Sequence, residues 1–152
     1  MAYAVENIIT FRASDAPPVE TRPEHRLTAD KARVINALRG FAQRSQLASR
    51  ADLDAACATI AADRAGSIAA YALSLFGHLA QHASQPLHFH RPGSATFSDS
   101  EVWLSRTLTA AAANEMAQLR ALIAWRVRPI GHRRALFLLC GLADGIFQQD
   151  TT

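Results

Sequence analysis

The sequence predicts an all-α protein, a bundle of four or five helices around a long central helix, preceded by a flexible N-terminal tail. Three observations carry that expectation. Alanine fills 31 of the 152 positions, and it is the residue that loses least on entering a helix. Gly at 7 and Pro at 6 are too few for the closely spaced turns of a β-sandwich. Apolar residues recur at intervals of three and four after Leu27, and no two segments read as paired strands. With 49% of its residues apolar, the chain is long enough for one domain with its own core.

The expected organisation is a tail over 1–27, one helical domain over 28–147 and a short C-terminal tail over 148–152. The first segment holds three of the six prolines and mixed charges. Within it only the run Asn7–Phe11 fits an extended arm able to dock.

Thr28 is placed to cap a first helix from Ala29 to about Gln46. There Val34, Ile35, Leu38, Phe41 and Ala42 share one face, while Arg33, Asn36, Arg39, Gln43 and Arg44 fall on an expected wet, basic face. A second stripe runs through Leu53, Cys57, Ile60, Arg64, Ile68, Tyr71, Leu75, His78 and His82 without losing phase at Gly66. This predicts one helix of about 30 residues over 51–82, covered on several sides between Ile68 and Ala80. Residues 84–97, with two prolines and a glycine, read as a long loop.

Ser98 and Glu101 form a capping box for a helix from Asp99 to about Ala113. Asn114 separates it from a helix over 115–128. Pro129 then either starts the last helix or kinks a continuous one. That last helix is expected to end at Asp144-Gly145. The aromatic set Phe41, Tyr71, Phe76, Trp103, Trp125, Phe137 and Phe147 lies at helical spacing among aliphatics and reads as core.

Composition narrows the function. Charged residues at 19% exclude a highly charged disordered chain, and two cysteines exclude a disulfide scaffold. Cys57 and Cys140 form no CxxC pair and read as buried thiols. The N-terminus lacks the basic stretch and apolar core of a secretory signal, and no run is long enough to span a bilayer, so the expected setting is cytoplasmic with no membrane contact. No nucleophile elbow, phosphate loop, dinucleotide fingerprint or zinc-protease motif is present, which points to a non-enzymatic protein. Cys140-Gly141 lies in a leucine-rich helix and reads as an inert thiol.

Two constellations remain. Arg120, Arg126, Arg128, His132, Arg133 and Arg134 concentrate charge. The whole chain is only +3, yet six arginines face the single acid Glu115 between Val102 and Ala143. Arginines at the start of the last helix oppose its dipole, which points to an anionic partner there. The competing reading pairs them internally with Asp52, Asp54, Asp63 or Asp144. The second constellation is His78 and His82, one helical turn apart, with His88 and His90 in the following loop. Together they would suit zinc or haem if the loop folded back. Otherwise they are ordinary polar residues and no cofactor is implied.

A helix-turn-helix over 28–63 fits poorly, because its second helix is acidic and alanine-rich where base edges call for polar donors. The expected function is therefore a small bacterial-type regulatory or adaptor protein that binds an acidic protein partner through the arginines. The alternatives are a nucleic-acid-associated transcriptional regulator using the same arginines and a metal or haem sensor using the histidines. Helices apolar on more than one face also suit a homodimer.

Overall fold

The computed structural model describes residues 9–12, 27–62 and 68–148. In chain order these form β1 (Ile9–Arg12), α1 (Ala29–Leu47), α2 (Arg50–Ala62), α3 (Ile68–His82), β2 (Leu87–His90), α4 (Asp99–Ala112), α5 (Met116–Arg126), a single 3₁₀ turn (Pro129–Gly131) and α6 (His132–Gln148). The protein is mostly helical, as expected. α6 packs on α3, α4 and α5, while α1 and α2 pack on α3. Leu75, Phe76 and Leu79 of α3, Leu104 of α4, Leu119 of α5 and Leu138, Leu139 and Leu142 of α6 are completely buried between them. Among the described residues no helix is long and apolar enough to cross a membrane.

The helix ends follow local chemistry. Thr28 Oγ1 accepts from the Lys31 backbone at the start of α1, and the Ser98–Glu101 capping box opens α4 in full. Asn114 takes up φ 57° after α4, and the Asn114 and Glu115 amides reach back to the carbonyls of Ala111 and Ala110. This is the left-handed helix stop that Asn tolerates better than most residues.

Five expectations need correction. The stripe over 51–82 belongs to two helices, α2 and α3, and residues 63–67 between them, with Arg64, lie outside the described residues. Cys57 Sγ lies 3.6 Å from Ser74 Oγ and the Leu53 side chain abuts Gly77, so the two helices run antiparallel against each other. Periodicity keeps its phase through such a reversal because both helices turn their small, apolar faces inward. The described residues accordingly hold six α-helices instead of four or five.

A strand pair is also present. β1 lies parallel to β2, with Ile9 opposite Leu87 and Arg12 opposite His90. β2 alternates buried Leu87 and Phe89 with half-buried His88 and His90, and the Phe89 ring meets Phe76 edge-on at 5.3 Å. Four residues with a partner so distant in sequence give little periodic signal. The remainder of the expected tails, 1–8, 13–26 and 149–152, lies outside the described residues.

Third, α6 continues through Asp144-Gly145 to Gln148. Gly145 does not stop the helix. A Cβ there would sit 2.9 Å from Ile68 Cγ1, so glycine allows α6 to approach α3. Fourth, three of the seven aromatics assigned to the core are substantially exposed, Trp125 at 64%, Phe137 at 44% and Phe147 at 37%.

Arg39, expected on the wet face of α1, is buried to 1% exposure. Its Nε donates to Glu101 Oε2 at 2.5 Å, Nη1 to the Ser94 carbonyl at 2.9 Å and Nη2 to the Thr96 carbonyl at 2.7 Å. The guanidinium also lies 5.0 Å from the Phe97 ring centroid. Glu101, itself fully buried, accepts on Oε1 from the backbone amides of Ser98 and His90. Ser98 Oγ donates to the His88 carbonyl and Ser100 Oγ accepts from the His88 amide. One ion pair therefore ties α1, the 91–97 loop, β2 and the first turn of α4.

Removing one member of a buried ion pair leaves the other charge without compensation, at a cost of about 3–5 kcal/mol. Glu101→Ala is expected to lower folding stability by about that amount, seen as a lower urea midpoint, whereas Asp30→Ala, which breaks the exposed Arg33–Asp30 pair, should cost under about 1 kcal/mol.

Candidate functional site

The C-termini of α3 and α5 are stitched together by backbone hydrogen bonds. Ser84 N donates to Arg126 O at 2.9 Å and Arg128 N donates to His82 O at 2.8 Å, around a bridge between Ala83 and Val127. This fixes where the chain leaves α5. Pro129 then opens the 3₁₀ turn, with its ring pre-set for a helical start. Of the two alternatives for Pro129, the structure takes neither fully: the proline begins a separate turn, and α6 follows at His132.

Gly131 is buried beneath the imidazoles of α3. A Cβ on it would sit 2.8 Å from His82 Cβ and 3.1 Å from His78 Nε2, so only glycine permits the turn to pass here. His78 Nε2 lies 2.8 Å from the Gly131 carbonyl, which makes Nε2 the protonated nitrogen of a neutral ring. The His78 and His82 rings are 4.5 Å apart between centroids. Burial holds the His78 pKa below its ordinary 6.5; the Gly131 carbonyl opposes that shift, and the charges of His82 and Arg134 add to it.

The two constellations read from the sequence thus meet in part. His78 and His82 sit under the turn that carries the arginines. His88 and His90 do not join them: both belong to β2, where His90 Nδ1 donates to the Thr96 carbonyl at 2.8 Å beside Glu101. Among the described residues no three His, Cys, Asp or Glu side chains converge on a metal-sized site. The proposed four-histidine set is therefore not assembled, and the nitrogen of His78 best placed for a ligand is already used by Gly131.

The basic residues divide by burial. Arg120, Arg128, Arg133 and Arg134 are exposed, while Arg126 and His132 are half-buried. His132 Nε2 bonds the Val127 carbonyl at 2.6 Å and serves the turn. Arg126 lies 5.1 Å from the centroid of the Trp125 ring, and Arg134 Nη2 reaches Cys57 Sγ at 2.8 Å. Among the described residues, none of Arg120, Arg126, Arg128, Arg133 and Arg134 has a carboxylate within 4.0 Å. Asp52 is bonded to the Ser49 hydroxyl and amide, and among the described residues no cation lies within 4.0 Å of Asp144. Asp63 lies outside the described residues. Among the described residues, internal pairing therefore does not account for these arginines.

Sequence reasoning missed the apolar part of this corner. Trp125 is 64% exposed and Ile130, in the turn, is 83% exposed. The signal available was an isoleucine held between Pro129 and Gly131, where no helical face exists to bury it. In comparisons with protein-family models, curated proteins and solved structures, no match was found.

The depressed His78 pKa has a definite consequence. The unfolded chain takes up a proton near pH 6.5, and the folded chain does so only at lower pH. The stability linked to this residue is thus present above pH 6.5 and lost as pH falls toward the folded value. Urea unfolding should show wild type weakening between about pH 7.5 and 5.5, and His78→Gln, which keeps a donor for Gly131, should weaken less over that window.

Proposed function

We propose that the protein is a non-enzymatic interaction module, of the regulatory or adaptor kind, that binds an acidic protein segment at the corner where α5 turns into α6. The observation that carries this reading is a 64% exposed Trp125 beside the Arg126 guanidinium, in a stretch over 120–134 whose five arginines no described carboxylate neutralises. Trp and Arg are the residues that most often anchor protein interfaces. Leaving cations unpaired costs little in water, but they attract a negatively charged partner and orient it. Two thiols with no disulfide fit the cytoplasmic setting expected from the sequence.

Nucleic acid is the competing ligand for the same arginines, with Trp125 as a stacking platform. The exposed aliphatic Ile130 favours protein, because an aliphatic side chain offers a base no π-face. A displayed library of random peptides selected on the wild-type protein should enrich sequences combining Asp or Glu with an apolar anchor. Trp125→Ala should weaken the best of them by about 10- to 30-fold, the effect of losing one interface anchor. Arg126→Glu/Arg128→Glu should abolish binding at moderate salt. Failure to enrich acidic peptides, or tighter binding to single-stranded oligonucleotides with a steep salt dependence, would overturn the reading.

A further inference from the structure

The outer face of α6 carries a pattern independent of Trp125. On a helical wheel, Arg133, Phe137, Cys140, Asp144 and Phe147 fall within an arc of about 80°. Arg133, Phe137, Asp144 and Phe147 are exposed and Cys140 is half-buried. Phe147 keeps contacts within its own chain at 37% exposure, and Phe137 leans on Tyr71 at 6.1 Å between centroids. The stripe has a base near its start and an acid near its end, with Phe137 and Cys140 between them.

The positions are also symmetric. Arg133 and Asp144, and Phe137 and Cys140, are two pairs with one common midpoint, between Leu138 and Leu139. A stripe that maps onto itself when reversed is what an isologous interface requires, since each residue must meet its complement on an identical surface. Two α6 helices laid antiparallel about that midpoint would set Phe137 against Cys140 and Arg133 against Asp144, each twice over. Asp144 is the acid of α6, and among the described residues neither it nor Arg133 has an ion-pair partner within its own chain.

We infer that the occupant of this face is a second copy of the chain, and that the protein forms a two-fold dimer through antiparallel α6 helices. The Arg133–Asp144 pairs fix the register. The apolar contacts of Phe137 and Cys140 lie between them. The interface shares Arg133 with the arginines of the acidic-segment site but makes no use of Trp125, Arg126 or Arg128, so substitutions at those three residues test recognition without touching self-association.

Charge exchange tests this on the full chain by sedimentation equilibrium. Wild type should be a dimer. Arg133→Asp and Asp144→Arg each place like charges opposite one another twice, and should weaken the dimer by about 100-fold. An equimolar mixture of the two variants should recover dimer, because in that heterodimer both contacts are again between opposite charges. Both residues are exposed, and circular dichroism should report unchanged helix content. Phe137→Asp, at an exposed apolar position of the stripe, gives an independent disruption that mixing with either variant should not rescue. A monomeric wild type at the highest soluble concentration, single reversals that leave the dimer intact, or a mixture that stays monomeric would overturn the inference.

Discussion

The ion pair between Arg39 and Glu101 organises the half of the molecule that helix packing alone would leave loose. Both charges are out of water. Burying them is tolerable because each is nearly saturated: the guanidinium by Glu101 and two loop carbonyls, the carboxylate by Arg39 and two amides. The same atoms complete the capping of α4. A helix cap, a loop anchor and an interhelical tie are thus one hydrogen-bonded unit, in which the loss of any member leaves other polar groups unsatisfied in a low-dielectric interior.

The opposite half is built on close approach. α2 meets α3 at Gly77 and Ser74, and α6 meets α3 at Gly145 and, through the preceding turn, at Gly131. Small residues let the backbones come near, since a Cβ at Gly131 or Gly145 would meet an atom of α3 within 3.0 Å. The turn at 129–131, clamped by the α3–α5 stitch and the His78 bond, is therefore a rigid base for the exposed residues of that corner. A surface presented on a fixed turn loses less conformational entropy on binding than one on a mobile loop.

Much of the helical framework was legible in the sequence, because its signals are local. Thr28, the Ser98–Glu101 box, Asn114 and Pro129 each act within four residues of themselves. What escaped reading depends on residues far apart in the chain. Arg39 looked solvent-facing on a wheel because nothing in α1 reveals Glu101, and Glu101 looked fully explained by its cap. Gly145 looked like a stop because its reason for being glycine is Ile68. The arginine cluster was found from its charge, but its apolar companions were not: Trp125 sits at a spacing that suits a core, and exposure is decided by which neighbours happen to cover it. The histidines could be paired at 78 and 82 from helical geometry. Their separation from His88 and His90 follows from a strand that four residues barely announce.

That strand bears on the order in which the molecule assembles. β1 and β2 lie next to each other although α1, α2 and α3 intervene between them in the chain. Contacts so distant in sequence must repay a large loop-closure entropy, so they form slowly and only once the intervening segments are compact. The helices are closed by hydrogen bonds between residues four apart and do not wait for them. The far edge of β2 is meanwhile occupied by the Ser98, Ser100 and Glu101 side chains, which leaves the arriving strand one side on which to add. The N-terminal arm is accordingly the last piece to join the fold and the first to let go, and an amide-exchange map would find its weakest protection there rather than in the loop that the buried arginine holds.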